Sequence, residues 1–137
     1  MNRWILVFVA ACLGVSGCRR DPPPEETVKE FEEDVGHGKA GQARALLTAQ
    51  QAQDADTLFM GVRAEEHNRL AEGIVSEHRS TETTGVSARV KAVYVMKDNV
   101  RRIYTWELLR DQGRWRINSW EAEVSGIVRP GRLTPTR

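Results

Sequence analysis

The stretch that decides the fold is VSARVKAVYVM, residues 86–96, in which apolar and polar side chains alternate before both faces become apolar. A period of two places successive side chains on opposite faces of a β-strand, so one face of this segment is apolar throughout. Similar patterns follow at residues 100–110 and 114–123, after short polar turns, and residues 74–82 could supply a further strand. The sequence therefore predicts an antiparallel meander of three to four strands.

Helical patterns precede these strands. Val28, Phe31 and Val35 have the spacing of one helix face, which predicts a first helix between Pro24 and Gly36. A second helix is predicted over residues 39–47 and a third from about residue 54, although the polar run 65–68 interrupts its apolar stripe. Helices followed by strands are typical of an α+β fold, here with about three N-terminal helices packed on a curved antiparallel sheet.

The N-terminus reads as an export signal. An apolar run, residues 4–15, follows Arg3 and is shorter than the about 20 residues that a membrane-spanning helix needs. Residues 1–17 are therefore predicted to be a removable signal peptide. The segment Val15-Ser16-Gly17-Cys18 resembles the lipobox of bacterial lipoproteins, which implies that Cys18 is acylated and becomes the first residue of the mature chain. The alternative is an ordinary secretory signal with a chance cysteine near its end.

Acylation of Cys18 would also determine where in the cell the protein is located. Two acyl chains hold a protein stably on a bilayer, and residues 18–24 would then form a lipidated, proline-rich tether. In lipoproteins of enteric type an Asp directly after the cysteine favours the inner membrane, and Arg19 occupies that position here. We therefore expect a cell-envelope protein, on the outer membrane facing the periplasm rather than on the inner membrane.

Size and charge exclude some classes of function. The chain has 137 residues and a formal net charge of +1, which suits one small domain. Once Arg3 is removed with the signal peptide, 19 basic side chains face 19 acidic ones. A neutral domain lacks the positive field of a dedicated nucleic-acid binder, so we expect no nucleic-acid partner.

Three segments carry a resemblance to a known family. Residues 24–31 (PEETVKEF), 38–47 (GKAGQARALL) and 111–117 (DQGRWRI) resemble the opening helix, the second helix and the last hairpin of the DUF4878 lipoproteins. The resemblance covers residues 24–122 and implies an NTF2-like, cystatin-like domain at residues 25–124. It implies no single activity, because related domains include enzymes, binding proteins and scaffolds. Residues 125–137 lack periodicity and are predicted to be a loose tail.

A possible pocket is predicted beneath the curved sheet. Glu66 and His67 stand where the third helix should meet the sheet, and a carboxylate beside an imidazole can act as a base or can simply be a solvated helix end. Folds that the family resembles include ketosteroid isomerases and polyketide cyclases, which pair such a base with a Tyr or Asp donor. The strand aromatics could line a cavity or belong to the core. The candidate pocket residues are Glu66, His67, Tyr94, Tyr104, Trp106 and Trp115.

Basic side chains suggest a second candidate site. Charged positions on the strands are rich in Arg, and they could dock lipid phosphates or an acidic partner, or they could only solvate the sheet. The candidate basic interface consists of Arg89, Lys91, Arg114 and Arg116.

Metal and cofactor sites have no support in the sequence. The three histidines, residues 37, 67 and 78, have no i, i+4 pair, and no cysteine of the mature chain other than Cys18 could assist them. Residues 36–41 match G-x-G-x-x-G, but they follow a helix rather than a strand, so they are predicted to form a turn between helices. We expect no metal and no cofactor.

The functional expectation follows from the predicted address and fold. We expect a membrane-anchored lipoprotein whose small domain binds a partner protein or a small apolar ligand in the cell envelope, without catalysis. The alternative is an isomerase-like or cyclase-like enzyme that uses Glu66 or His67 as general base.

Overall fold

The computed structural model describes residues 21–127. The predicted signal peptide at residues 1–17, the predicted acylation site Cys18, the start of the tether and the tail beyond residue 127 lie outside the described residues. No helix within residues 21–127 is long and apolar enough to cross a membrane.

Four helices precede four strands. The strands form one antiparallel sheet in which each pairs with its neighbour in the chain, in the order β1-β2-β3-β4. The predicted α+β class and the meander are confirmed. The elements are α1 (Pro24–Gly36), α2 (Ala40–Ala45), α3 (Ala49–Ala52), α4 (Ala55–Glu72), β1 (Ile74–Thr84), β2 (Ser87–Met96), β3 (Val100–Asp111) and β4 (Arg114–Ile127).

The core lies between the helices and one face of the sheet. Phe31 of α1 packs against Phe59 of α4 at a ring-centroid distance of 5.9 Å and against Trp106 of β3 at 5.5 Å. Val90 and Leu108, on neighbouring strands, are fully buried in the same cluster. The alternation that predicts β2 from the sequence therefore places its apolar face against α1 and α4.

The polar run at residues 65–68 interrupts the apolar stripe of the third predicted helix but does not end the helix. The helix, α4, continues unbroken through residues 65–68 to Glu72. Glu65 faces the sheet, where its carboxylate accepts hydrogen bonds from Tyr104 and Arg102. A polar run is compatible with one continuous helix here because the sheet presents polar partners to it.

Two element boundaries also differ from the prediction, and one short helix is additional. The predicted second helix stops at Ala45, because residues 46–48 bond to the edge of β4: the amide of Ile117 donates to the carbonyl of Leu46 at 2.8 Å, and the amide of Thr48 donates to the carbonyl of Ile117 at 2.9 Å. A separate short helix, α3, follows, and the Thr48 hydroxyl caps its first turn. Strand β4 continues to Ile127, past the predicted domain end at residue 124.

Close approach between α4 and the sheet depends on Gly61. An ideal Cβ on this residue would lie 3.0 Å from Cζ3 of Trp120, so any larger residue would push the helix or the indole away. Trp120 in turn stacks on Tyr104 at a centroid distance of 6.2 Å. The height of α4 above the sheet is therefore set at Gly61, and the following turns of the helix are held over the tyrosines of β2 and β3.

Candidate functional site

The helix-facing side of the sheet changes from apolar to polar toward the end of α4. Here a group of charged and tyrosine side chains fills the space between α1, α4 and strands β1 to β3. We call it the polar cluster. Its members are Glu32, Glu65, Arg69, Glu72, Glu77, Arg79, Tyr94, Arg102 and Tyr104.

Arg69 of α4 occupies the centre of the polar cluster. Its guanidinium carbon lies 4.6 Å from the ring centroid of Tyr94 and 4.7 Å from that of Tyr104. The two tyrosine rings contact each other edge to face, at 5.6 Å. Both rings face the helix because Tyr94 and Tyr104 stand at inward positions of adjacent strands. The quadrupoles of both rings therefore stabilise the positive charge of Arg69.

One half of the polar cluster surrounds Tyr94. Its hydroxyl donates to Oε1 of Glu77 at 3.1 Å and accepts a hydrogen bond from Nη2 of Arg79 at 2.9 Å. The same Nη2 bonds Oε2 of Glu32, on α1, at 2.9 Å, and Nε of Arg79 bonds Glu77 at 2.6 Å. Strand β1 and helix α1 are thus joined through one guanidinium.

The ionisation of these groups follows from burial and pairing. Burial raises the pKa of Glu32 above its ordinary value, although the charge of Arg79 opposes the rise. Burial is also the largest single effect on Glu77 and acts to raise its pKa, but the hydrogen bond and charge of Arg79, together with the Tyr94 hydrogen bond and the charge of Arg69, outweigh it and lower the pKa. For Arg79 burial is the largest single effect and acts to lower the pKa, but the charge of Glu32 and the hydrogen bonds to Glu77 and Glu32 together raise it. Burial also raises the pKa of Tyr94.

The other half of the polar cluster surrounds Tyr104. Its hydroxyl donates to Oε2 of Glu65 at 2.9 Å, and Nη1 of Arg102 donates to the same oxygen at 3.0 Å. Arg102 also binds Glu72, with Nε at 2.8 Å from Oε2 and Nη2 on the second oxygen. The hydrogen bond to Glu72 is the main reason that the pKa of Arg102 is raised. Burial, and then the bond to Glu65, raise the pKa of Tyr104 to about 12.

Because their pKa values are raised, Tyr94 and Tyr104 are both neutral at physiological pH, and both hydroxyl groups already donate a hydrogen bond. The Tyr94 hydroxyl donates to Glu77, and the Tyr104 hydroxyl donates to Glu65. A hydroxyl that donates to a carboxylate is not available to stabilise a developing oxyanion. The structure brings the two predicted donors together but engages both of them.

A groove between α1 and α4 opens beside the polar cluster. We call it the α1–α4 groove. It has a volume of about 310 Å³ and reaches Arg69 at its floor. Half-buried Glu66 lines it, close to the backbone of Gly36, whereas His67 is exposed and is not among its lining residues. The structure thus separates the two candidate bases. The lining consists of Glu32, Glu33, Gly36, His37, Val62, Glu66 and Arg69.

The two predicted pocket tryptophans lie in the core. Trp106 is 1% exposed and packs between Phe31 and Trp120, and Trp115 is 7% exposed in the same apolar cluster. Neither lines the α1–α4 groove. The structure therefore brings Glu66 to the groove, Tyr94 and Tyr104 to the polar cluster beside it, and the tryptophans to neither.

The four residues of the predicted basic interface do not form one patch. Arg89 and Lys91 are exposed on β2, where the Arg89 guanidinium bonds Glu107 at 2.7 Å and two further acids, Glu82 and Glu121, line the same depression. The other two candidates, residues 114 and 116, stand on β4 just after the β3–β4 turn, at one end of the sheet. The outer face around Arg89 is mixed in charge rather than basic.

Sequence reasoning missed most of the polar cluster, although a signal for part of it exists. Glu65, Arg69 and Glu72 are spaced by four and three residues, which places them on one face of α4. Arg102 alternates with Tyr104 on β3, which places them on the same face of the sheet. Nothing local showed that these two faces meet. Within residues 21–127, no group of three or more His, Cys, Asp or Glu side chains is placed to hold a metal ion.

Comparisons with known proteins support the fold. No family model matches the sequence, and no curated protein matches it. Among solved structures, the chain is similar to a protein from Campylobacter jejuni that is provisionally named an NTF2-like transpeptidase, with a TM-score of 0.54 and 13% sequence identity. The similarity covers 72% of this chain and 99% of the other. The four helices and the open four-stranded sheet thus have the NTF2-like architecture, and an identity this low carries the fold alone.

Proposed function

We propose that this NTF2-like chain is a lipoprotein of the DUF4878 type, anchored in the bacterial cell envelope through acylated Cys18, that binds a partner protein without catalysing a reaction. Different features of the protein support the lipid anchor, the absence of catalysis and the binding groove.

The anchor rests on the sequence. Cys18 follows a small-residue pair at the end of an apolar run and precedes a charged, proline-rich segment, as in bacterial lipoproteins. Two acyl chains would hold the domain durably on a bilayer. Arg19 directly after the cysteine favours the outer membrane, with the domain facing the periplasm.

The absence of catalysis is supported by one observation: the hydroxyl groups of Tyr94 and Tyr104 already donate hydrogen bonds within the polar cluster. A general base needs a positioned acid or an oxyanion donor within reach of the same substrate. The hydroxyls of Tyr94 and Tyr104 donate to Glu77 and Glu65 instead. The charged groups of the polar cluster pair with one another. The cluster is therefore better suited to fixing the distance between the helices α1 and α4 and the sheet than to taking part in a reaction.

The α1–α4 groove is the binding surface that we assign to the partner. Most of its lining is charged, with Glu33 exposed at the rim and Glu66 half-buried on the wall. Arg69, the cation at its floor, is held by the two tyrosine rings. This lining favours a partner that presents a cationic side chain over a small apolar ligand.

The name of the structural neighbour introduces one specific reaction. Transfer of a peptide acyl group through an acyl-enzyme uses a Ser, Thr or Cys nucleophile. None of these residue types is among the described residues that line the α1–α4 groove. We therefore transfer the fold of that neighbour and not its named activity.

An isomerase-like or cyclase-like enzyme is the second candidate function. The observation that favours it is the position of Glu66, which lines the same groove as Arg69 and is half-buried. His67 lacks such support because it is exposed. The two candidate functions differ in what Glu66→Gln does: a general base would lose its activity, whereas a binding surface would keep most of its affinity.

Site-specific photo-crosslinking in cells tests the groove. A photoreactive residue at His37, on the groove, should capture a protein that the same residue at exposed Gln50 of α3 does not capture. Glu66→Lys should abolish this adduct, and Glu66→Gln should retain it. Equal capture at both positions, or an adduct that forms equally well in the Glu66→Lys variant, would show that the partner does not bind in the α1–α4 groove.

Mass spectrometry of the membrane fraction tests the anchor. The wild-type chain should begin at an acylated Cys18, and Cys18→Ser should remain unprocessed and without lipid, because the mature chain has no other thiol. An unlipidated mature chain that begins at another residue would contradict the lipoprotein assignment.

A further inference from the structure

The start of the described chain lies against the turn between β3 and β4. The Asp21 carboxylate is 3.9 Å from Nη2 of Arg110, and an ideal Cβ on Gly113 would lie 3.6 Å from Oδ2 of Asp21. A cavity of about 550 Å³ at this end lies between the first residues of the chain and the start of β4. The hairpin end of the sheet and the N-terminal end of the domain are therefore one surface.

This surface is close to the lipid anchor if Cys18 is acylated, and the inference rests on that part of the proposed function. Two residues lie between Cys18 and Asp21, so Asp21 is three residue steps from Cys18, and three extended steps span at most about 11 Å. A lipid headgroup layer is several ångströms thick on each side of the hydrocarbon core. The tether therefore keeps Asp21 within about 11 Å of the acylated residue, which holds the hairpin end close to the headgroup layer.

The chemistry of the hairpin end suits phosphate. Arg114 is exposed and makes no ion pair with another described residue, and the guanidinium carbon of Arg110 lies 5.2 Å from the ring centroid of Trp115. Arg116 donates to the carbonyl of Ala45, which holds its side chain at the same end. Guanidinium groups bind phosphate oxygens in a two-pronged geometry.

The described charges at this end are balanced, and the sequence next to them is basic. Arg110, Arg114 and Arg116 balance the three carboxylates at the cavity and the turn, those of Asp21, Glu30 and Asp111. The sequence adds two arginines, residues 19 and 20, between Cys18 and Asp21, so the segment beside the proposed anchor supplies an excess of positive charge. The outer face around Arg89 has no such excess, because Glu107, Glu82 and Glu121 surround it.

We propose that the β3–β4 hairpin docks on the bilayer that carries the lipid anchor, with Arg110, Arg114 and Arg116 contacting the phosphates of anionic lipid headgroups. The lipid anchor then sets the distance between the domain and the bilayer, and the docked hairpin sets the orientation of the domain. Docking points the α4 end of the domain away from the membrane, because the turn between β2 and β3 and the end of α4 lie at the opposite end of the sheet from the β3–β4 turn. The α1–α4 groove would face the periplasm.

Fluorescence quenching of the mature acylated chain in vesicles tests this orientation. Leu109→Cys, beside the hairpin, and Leu70→Cys, near the end of α4, each introduce one exposed thiol for a fluorophore. The vesicles contain either phosphatidylcholine alone or phosphatidylcholine with phosphatidylglycerol, together with a nitroxide-labelled headgroup as quencher. We expect stronger quenching at residue 109 than at residue 70, and a larger difference in the phosphatidylglycerol vesicles.

Charge variants separate docking from mere tethering. Arg114→Glu, a change at an exposed position that has no ion-pair partner within residues 21–127, should abolish the difference between the two labels, whereas the matched Lys91→Glu on the outer face should leave it unchanged. High salt should also remove the difference without releasing the chain. Equal quenching of both labels in a chain that floats with the vesicles would overturn docking alone. A chain that does not float would overturn both the anchor and the docking.

Discussion

Replacement of Gly61 by alanine tests how closely α4 packs on the sheet. The substitution removes a glycine from a helix interior, which by itself stabilises a helix by about 1 kcal/mol. The new Cβ would lie 3.0 Å from Cζ3 and 3.6 Å from Cη2 of Trp120, whereas carbon atoms pack best at about 3.5–4.0 Å. Overpacking of this kind costs about 1–3 kcal/mol. We therefore expect Gly61→Ala to lower the free energy of unfolding by about 0–2 kcal/mol.

Gly41→Ala supplies the matched control. Gly41 is also helical, but no atom lies within 4 Å of its ideal Cβ, so the variant should gain up to about 1 kcal/mol. Urea denaturation of both variants, followed by tryptophan fluorescence and by circular dichroism, measures the difference. If Gly61→Ala stabilised the domain as much as Gly41→Ala does, α4 would not sit on Trp120 as described, and the placement of the polar cluster would lose its support.

Two further predictions concern the core and the polar cluster. Trp115→Ala should lower the free energy of unfolding by about 3–5 kcal/mol, because the side chain is 7% exposed, while exposed Arg114→Ala should change it by less than about 0.5 kcal/mol; denaturation curves that reversed this order would refute the register of β4. Stability that Glu32 contributes is present below pH 4.5 and is lost as pH rises through its raised pKa, whereas the contribution of Glu77 is present above pH 4.5 and is lost as pH falls through its lowered pKa. Glu32→Gln should therefore weaken the pH dependence of stability above pH 4.5, and Glu77→Gln should weaken it below pH 4.5. Thermal unfolding measured across this pH range would contradict the ion-pair network if both variants changed the pH dependence on the same side of pH 4.5.

Periodicity predicts the apolar half of this fold and not the polar half. The alternation in β2 and the spacing of Val28, Phe31 and Val35 in α1 are local patterns that follow directly from burial against a core. Strand β1 is harder to predict, because its inward positions carry Glu77 and Arg79, which are stabilised by partners elsewhere in the chain.

The candidate site shows the same division. Tyr94 and Tyr104 could be predicted to share a face because both stand in period-two strands. Arg69 could not be predicted to belong to the site, because a charged residue on a helix is expected to face solvent unless the element that packs opposite it is known. The polar run around Glu65 interrupts the apolar stripe for the same reason: its hydrogen-bond partners on β3 are almost 40 residues away in sequence.

Complementation of a deletion strain tests the central claim, a binding domain without a catalytic base, most directly. The double variant Glu66→Gln/His67→Ala should restore the wild-type phenotype, with protein level and membrane localisation checked by immunoblot, because both candidate bases would be dispensable. The contrary result is a folded and correctly localised double variant that fails to complement while Arg89→Gln/Lys91→Gln succeeds. That result would replace the binding function with a catalytic one centred on Glu66.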